Sequence, residues 1–362
     1  MFLCFGEVML RLAPDGYLRL RQALPGRLQA TFGGSEANVG ASLALFRRDV
    51  RYVTAVPDNA LSDALLAHLR SFDIDTDYCL RKKNGRLGIY FLETGANQLS
   101  SVVTYDRQNS SISAAGPDEY DFDAALEGVD WVHVSGITPS LSQNAFQSTC
   151  ALVELARNRG VRVSCDLNFR NKLWKWKQGL SARELAQECM SHVLANVSVL
   201  VANEEDAKDV LNIAAEGTSV EKGEINADAY VEVARKIVDR FPNINKVAFT
   251  LRESFSANHN NWGAMLHDAE LNQSFLAPLD REGNYRPYEI HDIVDRVGGG
   301  DSFAAGLFHA ITSGKYHEPE HALRFAVAAG CLNHSIKGDF NHVTEGEVEA
   351  LLRGSGSGRV RR

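Results

Sequence analysis

The chain of 362 residues is 44% apolar and 23% charged, and it carries a formal net charge of −8 at pH 7. Those values describe a folded globular protein, one large α/β domain or two ordinary ones, and exclude a disordered chain, which would be less apolar and more one-sided in charge. The negative balance also excludes a general nucleic-acid binder, and an anionic substrate would have to be drawn in by a local positive cluster.

Met1-Phe2-Leu3-Cys4-Phe5 has no basic leader and no small-residue cleavage site, so it reads as a first buried strand instead of a signal peptide. From there, short β-rich apolar runs at 2–8, 51–56, 131–135, 161–166, 197–202, 246–251 and 290–295 alternate with helical runs. The helical runs lie at 36–48, 62–72, 143–159, 182–194 and 229–241, with apolar residues three and four apart. In the third of them Phe146, Cys150, Val153 and Ala156 share one face. Strand–helix alternation on this scale predicts a mostly parallel sheet with helices on both sides, and ligands beyond the carboxyl ends of its strands.

Two segments break the alternation. The stretch 12–32 contains Pro14, Gly16, Pro25 and Gly26, and 88–93 with 101–106 reads as a β-pair around Thr94-Gly95-Ala96-Asn97. Together they suggest a small β-structure laid over the cleft as a lid, with surface decoration as the plainer alternative. Residues 214–224 and 280–286 read as polar loops, and residues 354–362 as a flexible tail after a single domain over 1–353. No stretch approaches the roughly 20 apolar residues that span a membrane. The six cysteines, Cys4, Cys79, Cys150, Cys165, Cys189 and Cys331, lie far apart without a CxxC pair and read as small core residues of a cytoplasmic protein.

The most informative run is Asp295-Arg296-Val297-Gly298-Gly299-Gly300-Asp301-Ser302-Phe303, which follows the 290–295 strand and opens a helix with Phe303, Leu307, Ala310 and Ile311 as its inner stripe. Three glycines in a row contribute no packing, but at a helix start they let backbone N–H groups converge where the dipole favours negative charge. That is a phosphate cradle. Asp301, directly after it, would repel a phosphate, yet makes sense as a base that takes a proton from an attacking hydroxyl. The alternative is that Asp301 merely caps the helix. A Walker loop would need Lys where Asp301 stands, and a dinucleotide fingerprint belongs near an early strand. The 11 histidines show no metal-ligand spacing.

Gly33-Gly34-Ser35-Glu36-Ala37-Asn38 near the start and Gly298-Gly299-Gly300-Asp301 near the end resemble the two signatures of the ribokinase-like (PfkB) carbohydrate kinase family. The similarity runs through nearly the whole chain. Gly88-Ile89-Tyr90, Tyr105-Asp106-Arg107, Asp166-Leu167-Asn168-Phe169-Arg170, Asn203-Glu204-Glu205-Asp206 and Thr250-Leu251-Arg252 resemble the branch that acts on 2-keto-3-deoxygluconate. The resemblance implies a three-layer α/β/α fold with a small β-sheet lid and lid segments over about 11–33 and 86–108. It further implies ATP- and Mg2+-dependent phosphorylation of the 6-hydroxyl of 2-keto-3-deoxygluconate, in a homo-oligomer paired through the lid sheets. Asp301 is then the base, and the Gly298, Gly299 and Gly300 amides steady the moving phosphoryl group, with Gly299 where the family has alanine.

By the same resemblance Gly33, Gly34 and Asn38 hold sugar hydroxyls, with the glycine backbone free to approach closely. Arg107 and Arg170 meet the substrate carboxylate, which guanidinium forks suit, while Tyr90, Tyr105 and Asp339 complete the sugar side. The nucleotide falls to Asn168, Arg170, Asn203, Thr250, Arg252, Gly298, Gly300 and Asn333, and Asp206 reaches Mg2+ through water. Read alone, Arg107 is equally well a solvated surface residue. Another sugar of the same family, or a catalytically inactive sugar-binding regulator, are the alternatives.

Overall fold

A computed structural model describes residues 1–214 and 227–354. Most of the expected loop at 214–224 and the tail after Gly354 lie outside the described residues. From one edge, the central sheet runs Gln273–Ala277, Asn260–Asp268, Lys246–Ser254, Val199–Asn203, Arg162–Asp166, Trp131–Ser135, Phe2–Phe5, Val50–Val53 and Ile74–Asp75. Tyr288–Ile290 adds beside Asn260–Asp268. Every pairing from Lys246–Ser254 to Ile74–Asp75 is parallel.

Phe2–Phe5 and Trp131–Ser135 are buried at each position, as parallel strands covered on both faces must be. Alternate side chains feed two separate cores. Phe2, Cys4, Val199 and Val201 pack with helices Ser35–Leu45, Gly299–Ile311 and Pro319–Asn333. Leu3, Phe5, Leu200 and Cys165 pack with Gln143–Asn158, Ala182–Leu194 and Ala227–Arg240 on the other side. The expected three layers are therefore present. The helix Gln143–Asn158 is turned slightly relative to expectation: Val153 and Ala156 are buried as expected, Ala145, Thr149 and Leu152 join them, and Phe146 and Cys150 lie at the flank.

The antiparallel strands Asn260–Asp268 and Gln273–Ala277, with polar residues at their starts, were not foreseen. The strand expected at 290–295 lies earlier, at Tyr288–Ile290, and shares only Ile290 with the expectation. Beyond it Asp292 takes a left-handed φ of 57°, and the Asp295 carboxylate accepts the Val297 and Gly338 amides, so side-chain bonds replace a ladder.

The second sheet, Gln29–Gly33, Met9–Ala13, Ile89–Glu93 and Val102–Asp106, is built largely from the two segments that broke the alternation, with Met9, Leu10 and Arg11 just ahead of the first. Met9, Tyr90, Leu92, Val103 and Tyr105 cluster on the face that lines the cleft. Among the described residues no helix is long and apolar enough to cross a membrane.

Candidate active site

A cavity of about 520 Å³ opens at the carboxyl ends of the parallel strands, between the central sheet and the small one. Asp166 ends one strand and Asn203 the next, and both line it. Helix Gly299–Ile311 points its N-terminus into the same space, with Asp301 in its first turn.

The N-cap position belongs to Gly298, which makes no side-chain cap, so the capping alternative for Asp301 does not hold. Its carboxylate is gripped from another helix: Ser35 Oγ donates to Oδ1 and Asn38 Nδ2 to Oδ2, each at 2.7 Å. Asn168 Nδ2 donates in turn to Ser35 Oγ at 2.9 Å. Burial pushes the Asp301 carboxyl above its usual range, while the Asn38 and Ser35 hydrogen bonds and the Arg170 charge pull it back. Burial thus favours proton uptake by this carboxyl, and its three polar partners favour the ionised form. Removing a donor to the ionised form favours the protonated one. Asn38→Ala is therefore expected to move the acid limb of the kcat profile to higher pH, and a pH–rate series checks it.

The glycines before Asp301 have distinct reasons. Gly298 has φ 84°, and a Cβ there would stand 2.5 Å from the Asp339 carbonyl. A Cβ on Gly299 would come within 2.9 Å of the His334 ring, which is fixed by a 2.8 Å bond between Nδ1 and the Gly330 carbonyl. This imidazole accounts for glycine where the resemblance led one to expect alanine. At Gly300 nothing lies within 4 Å of a Cβ, so this side is open for a ligand. Asn333, expected at the nucleotide, is instead buried behind the cradle, accepting from Ser302 Oγ at 2.9 Å and donating to the Val297 carbonyl at 3.0 Å.

On the sugar side Gly34, Ser35 and Asn38 line the cleft. Packing within the protein alone requires glycine at both positions. A Cβ on Gly33 would meet the Asp339 carboxylate at 2.0 Å, and one on Gly34 the Glu7 carbonyl at 2.0 Å. Tyr90 presents its ring to the cleft, but its hydroxyl donates to Asp339 at 2.5–2.6 Å. Asp339 is buried, also accepts from Arg11, and has its carboxyl pushed up to about 6 by burial. Tyr105 lies half-buried under the Arg107 guanidinium, 5.3 Å from it.

The two arginines differ. Arg107 is buried, not solvated, and its Nε donates to Glu7 Oε2 at 2.6 Å in an ion pair that also engages Nη2. Arg170 is exposed at the cleft, donates only to the Phe169 carbonyl, and enters no ion pair among the described residues. Arg252 and Thr250 line the far end of the cleft. The lid turn closes over this end, with Asn97 N donating to Asn258 Oδ1 and Ala257 N to the Asn97 carbonyl, both at 2.7 Å.

Asn203 and Asp206 form a reciprocal capping box at the start of helix Glu204–Leu211. Both Asp206 oxygens already accept backbone amides, from Phe169 and Asn203, which suits contact with a cation through water better than direct ligation. Burial raises the Asp206 carboxyl to about 6, and it raises Asp166 well above its usual range, with Asp206 and Asp301 adding to the effect. Such a set of hard oxygen donors fits a magnesium ion. Sequence reasoning missed Ser35, Asp166, Glu7 and Arg11. Only Ser35 and Asp166 had a local signal, each lying inside a motif already singled out.

The model of the pfkB family of carbohydrate kinases matches residues 1–247, ending before the glycine run. The crystal structure of 2-dehydro-3-deoxygluconokinase from Thermotoga maritima has 41% sequence identity and a TM-score of 0.86, over 98% of this chain and 99% of that one. The 2-dehydro-3-deoxygalactonokinase of Haloferax volcanii is 28% identical over 355 residues, 98% of this chain and 97% of the relative. Fructokinase from Xylella fastidiosa, solved with bound ATP, shares the fold at a TM-score of 0.73 and 18% identity, over 98% of this chain and 99% of its own. This chain belongs to the pfkB family of carbohydrate kinases. Within it, the chain is a sugar kinase similar to the 2-dehydro-3-deoxygluconokinases.

Proposed function

We propose that this kinase transfers the γ-phosphoryl group of ATP to the 6-hydroxyl of 2-keto-3-deoxygluconate, with Asp301 as general base. One observation supports the reading: a single cavity holds a buried, doubly hydrogen-bonded Asp301 beside a helix N-terminus, and an exposed Arg170 guanidinium that forms no close ion pair among the described residues. The first half is what a hydroxyl nucleophile needs, and the second is what a sugar acid needs in a protein of net charge −8.

In this reading the small sheet closes over the bound sugar and excludes water, so the phosphoryl group goes to the sugar and not to solvent. As the hydroxyl oxygen bonds to phosphorus, its proton passes to Asp301 and ADP departs. The amides at Gly298–Gly300 face the charge spread over the transferring group. Magnesium, when bound, neutralises phosphate charge, and Asp166 with Asp206 are the residues that would hold it.

A coupled assay of ADP release across 2-keto-3-deoxygluconate, its galactonate epimer, fructose and ribose tests the reading. The keto acids are expected to give the highest kcat/KM, and a preference for ribose or fructose would overturn the substrate. The Haloferax volcanii relative favours a second reading, in which the galactonate epimer is the better acceptor.

A further inference from the structure

Arg11 sits mid-strand in Met9–Ala13, at an inward position of the small sheet between Met9 and Ala13. It is 3% exposed, and a guanidinium so buried requires partners on each arm of its fork. It has two. Nη2 donates to Asp295 Oδ2 at 2.5 Å and Nη1 to Asp339 Oδ1 at 2.7 Å.

These carboxylates belong to different segments that border the cleft. Asp295 lies three residues before Gly298 and accepts the amides of Val297 and Gly338. The Asp339 carbonyl lies where a Cβ on Gly298 would stand 2.5 Å from it, and the Asp339 carboxylate fills the space beside Gly33. Tyr90, next to Arg11 in the parallel pairing, donates to the same carboxylate. One guanidinium thus ties the lid sheet, the Gly33 segment and the amide cradle together.

We propose that Arg11 is a positioning residue for phosphoryl transfer, holding the sugar side and the phosphate side of the cleft in one register through Asp339 and Asp295. It touches no reacting atom. A lysine cannot take its place, because a point ammonium does not fork between two carboxylates held on separate segments. The inference rests on the proposed roles of Asp339 and the cradle amides. It is tested on whichever acceptor the wild-type enzyme prefers, so an unexpected acceptor sinks the substrate reading and leaves this one to its own result.

The experiment compares Arg11→Lys and Arg11→Met with wild type in steady-state kinetics, with acceptor and ATP varied separately, together with pH profiles and thermal melting. Arg11→Lys is expected to fold and to lose about tenfold or more in kcat/KM for the acceptor, toward the order of 10²-fold that misplacement by about 1 Å brings, with KM for ATP unchanged. In Arg11→Met the acid limb of the acceptor profile moves to higher pH. The charged and titratable groups facing Asp339 are Arg11 and Tyr90 from the lid and Asp295 from the loop, so loss of the cation favours the protonated carboxyl. Should Arg11→Met not fold, Arg11→Lys decides alone. A lysine variant with wild-type kcat/KM and only a lower melting temperature would overturn the proposal.

Discussion

Asp301→Asn is expected to bind sugar and nucleotide as the wild type does and to lose turnover by about 10²–10⁴-fold, the contribution of a positioned general base. The substitution keeps the shape of the side chain. The Ser35 hydroxyl can rotate to accept from the new amide, while Asn38 continues to donate to the remaining oxygen. Stability gives an independent check. Burial raises the Asp301 carboxyl above its unfolded value, so its ionisation opposes folding once the pH exceeds that unfolded value. Replacement by a neutral amide therefore leaves the melting temperature at pH 7 equal or higher. Calorimetric sugar binding, the coupled assay and a melting curve together separate a lost base from a lost fold. Near-normal turnover would remove the base assignment.

The two arginines of the cleft are expected to fail in different ways. Arg107→Ala leaves Glu7 buried without its cation, a loss of about 3–5 kcal/mol in stability for breaking a buried pair, and acceptor binding declines with the fold. Arg170→Ala breaks no ion pair among the described residues and is expected to keep the melting temperature, but to weaken the keto acid far more than fructose or ribose. Melting curves alongside acceptor KM values distinguish the two patterns. Equal loss of keto acid and neutral sugar in Arg170→Ala would separate Arg170 from the substrate carboxylate.

The contrast between these arginines marks where the sequence stops being legible. Apolar alternation along the chain is enough for the parallel sheet and its two helical layers, because those follow from local periodicity. The glycine run before Asp301 is readable for the same reason: backbone freedom, dipole and carboxylate meet within a few residues. Arg107 is different, since its partner Glu7 lies 100 residues away, and nothing near either residue announces the pairing. The Arg11 bridge spans 284 and 328 residues and is equally silent. Asn333 and Gly33 were read for ligand contact, and only three-dimensional contacts reveal the packing each also serves, Asn333 against the Val297 carbonyl and Gly33 beside the Asp339 carboxylate. Asp206 was read for its charge, while its spacing from Asn203 also spelled a capping box, and the fold uses that spacing.

A crystal structure with 2-keto-3-deoxygluconate and a non-transferable ATP analogue tests the central claim most directly. The sugar's terminal hydroxyl is predicted within about 2.6–3.2 Å of an Asp301 oxygen and in line with the γ-phosphorus, with the acid group on Arg170. A sugar bound with its terminal hydroxyl away from Asp301, or with a different hydroxyl facing the phosphate, would contradict it.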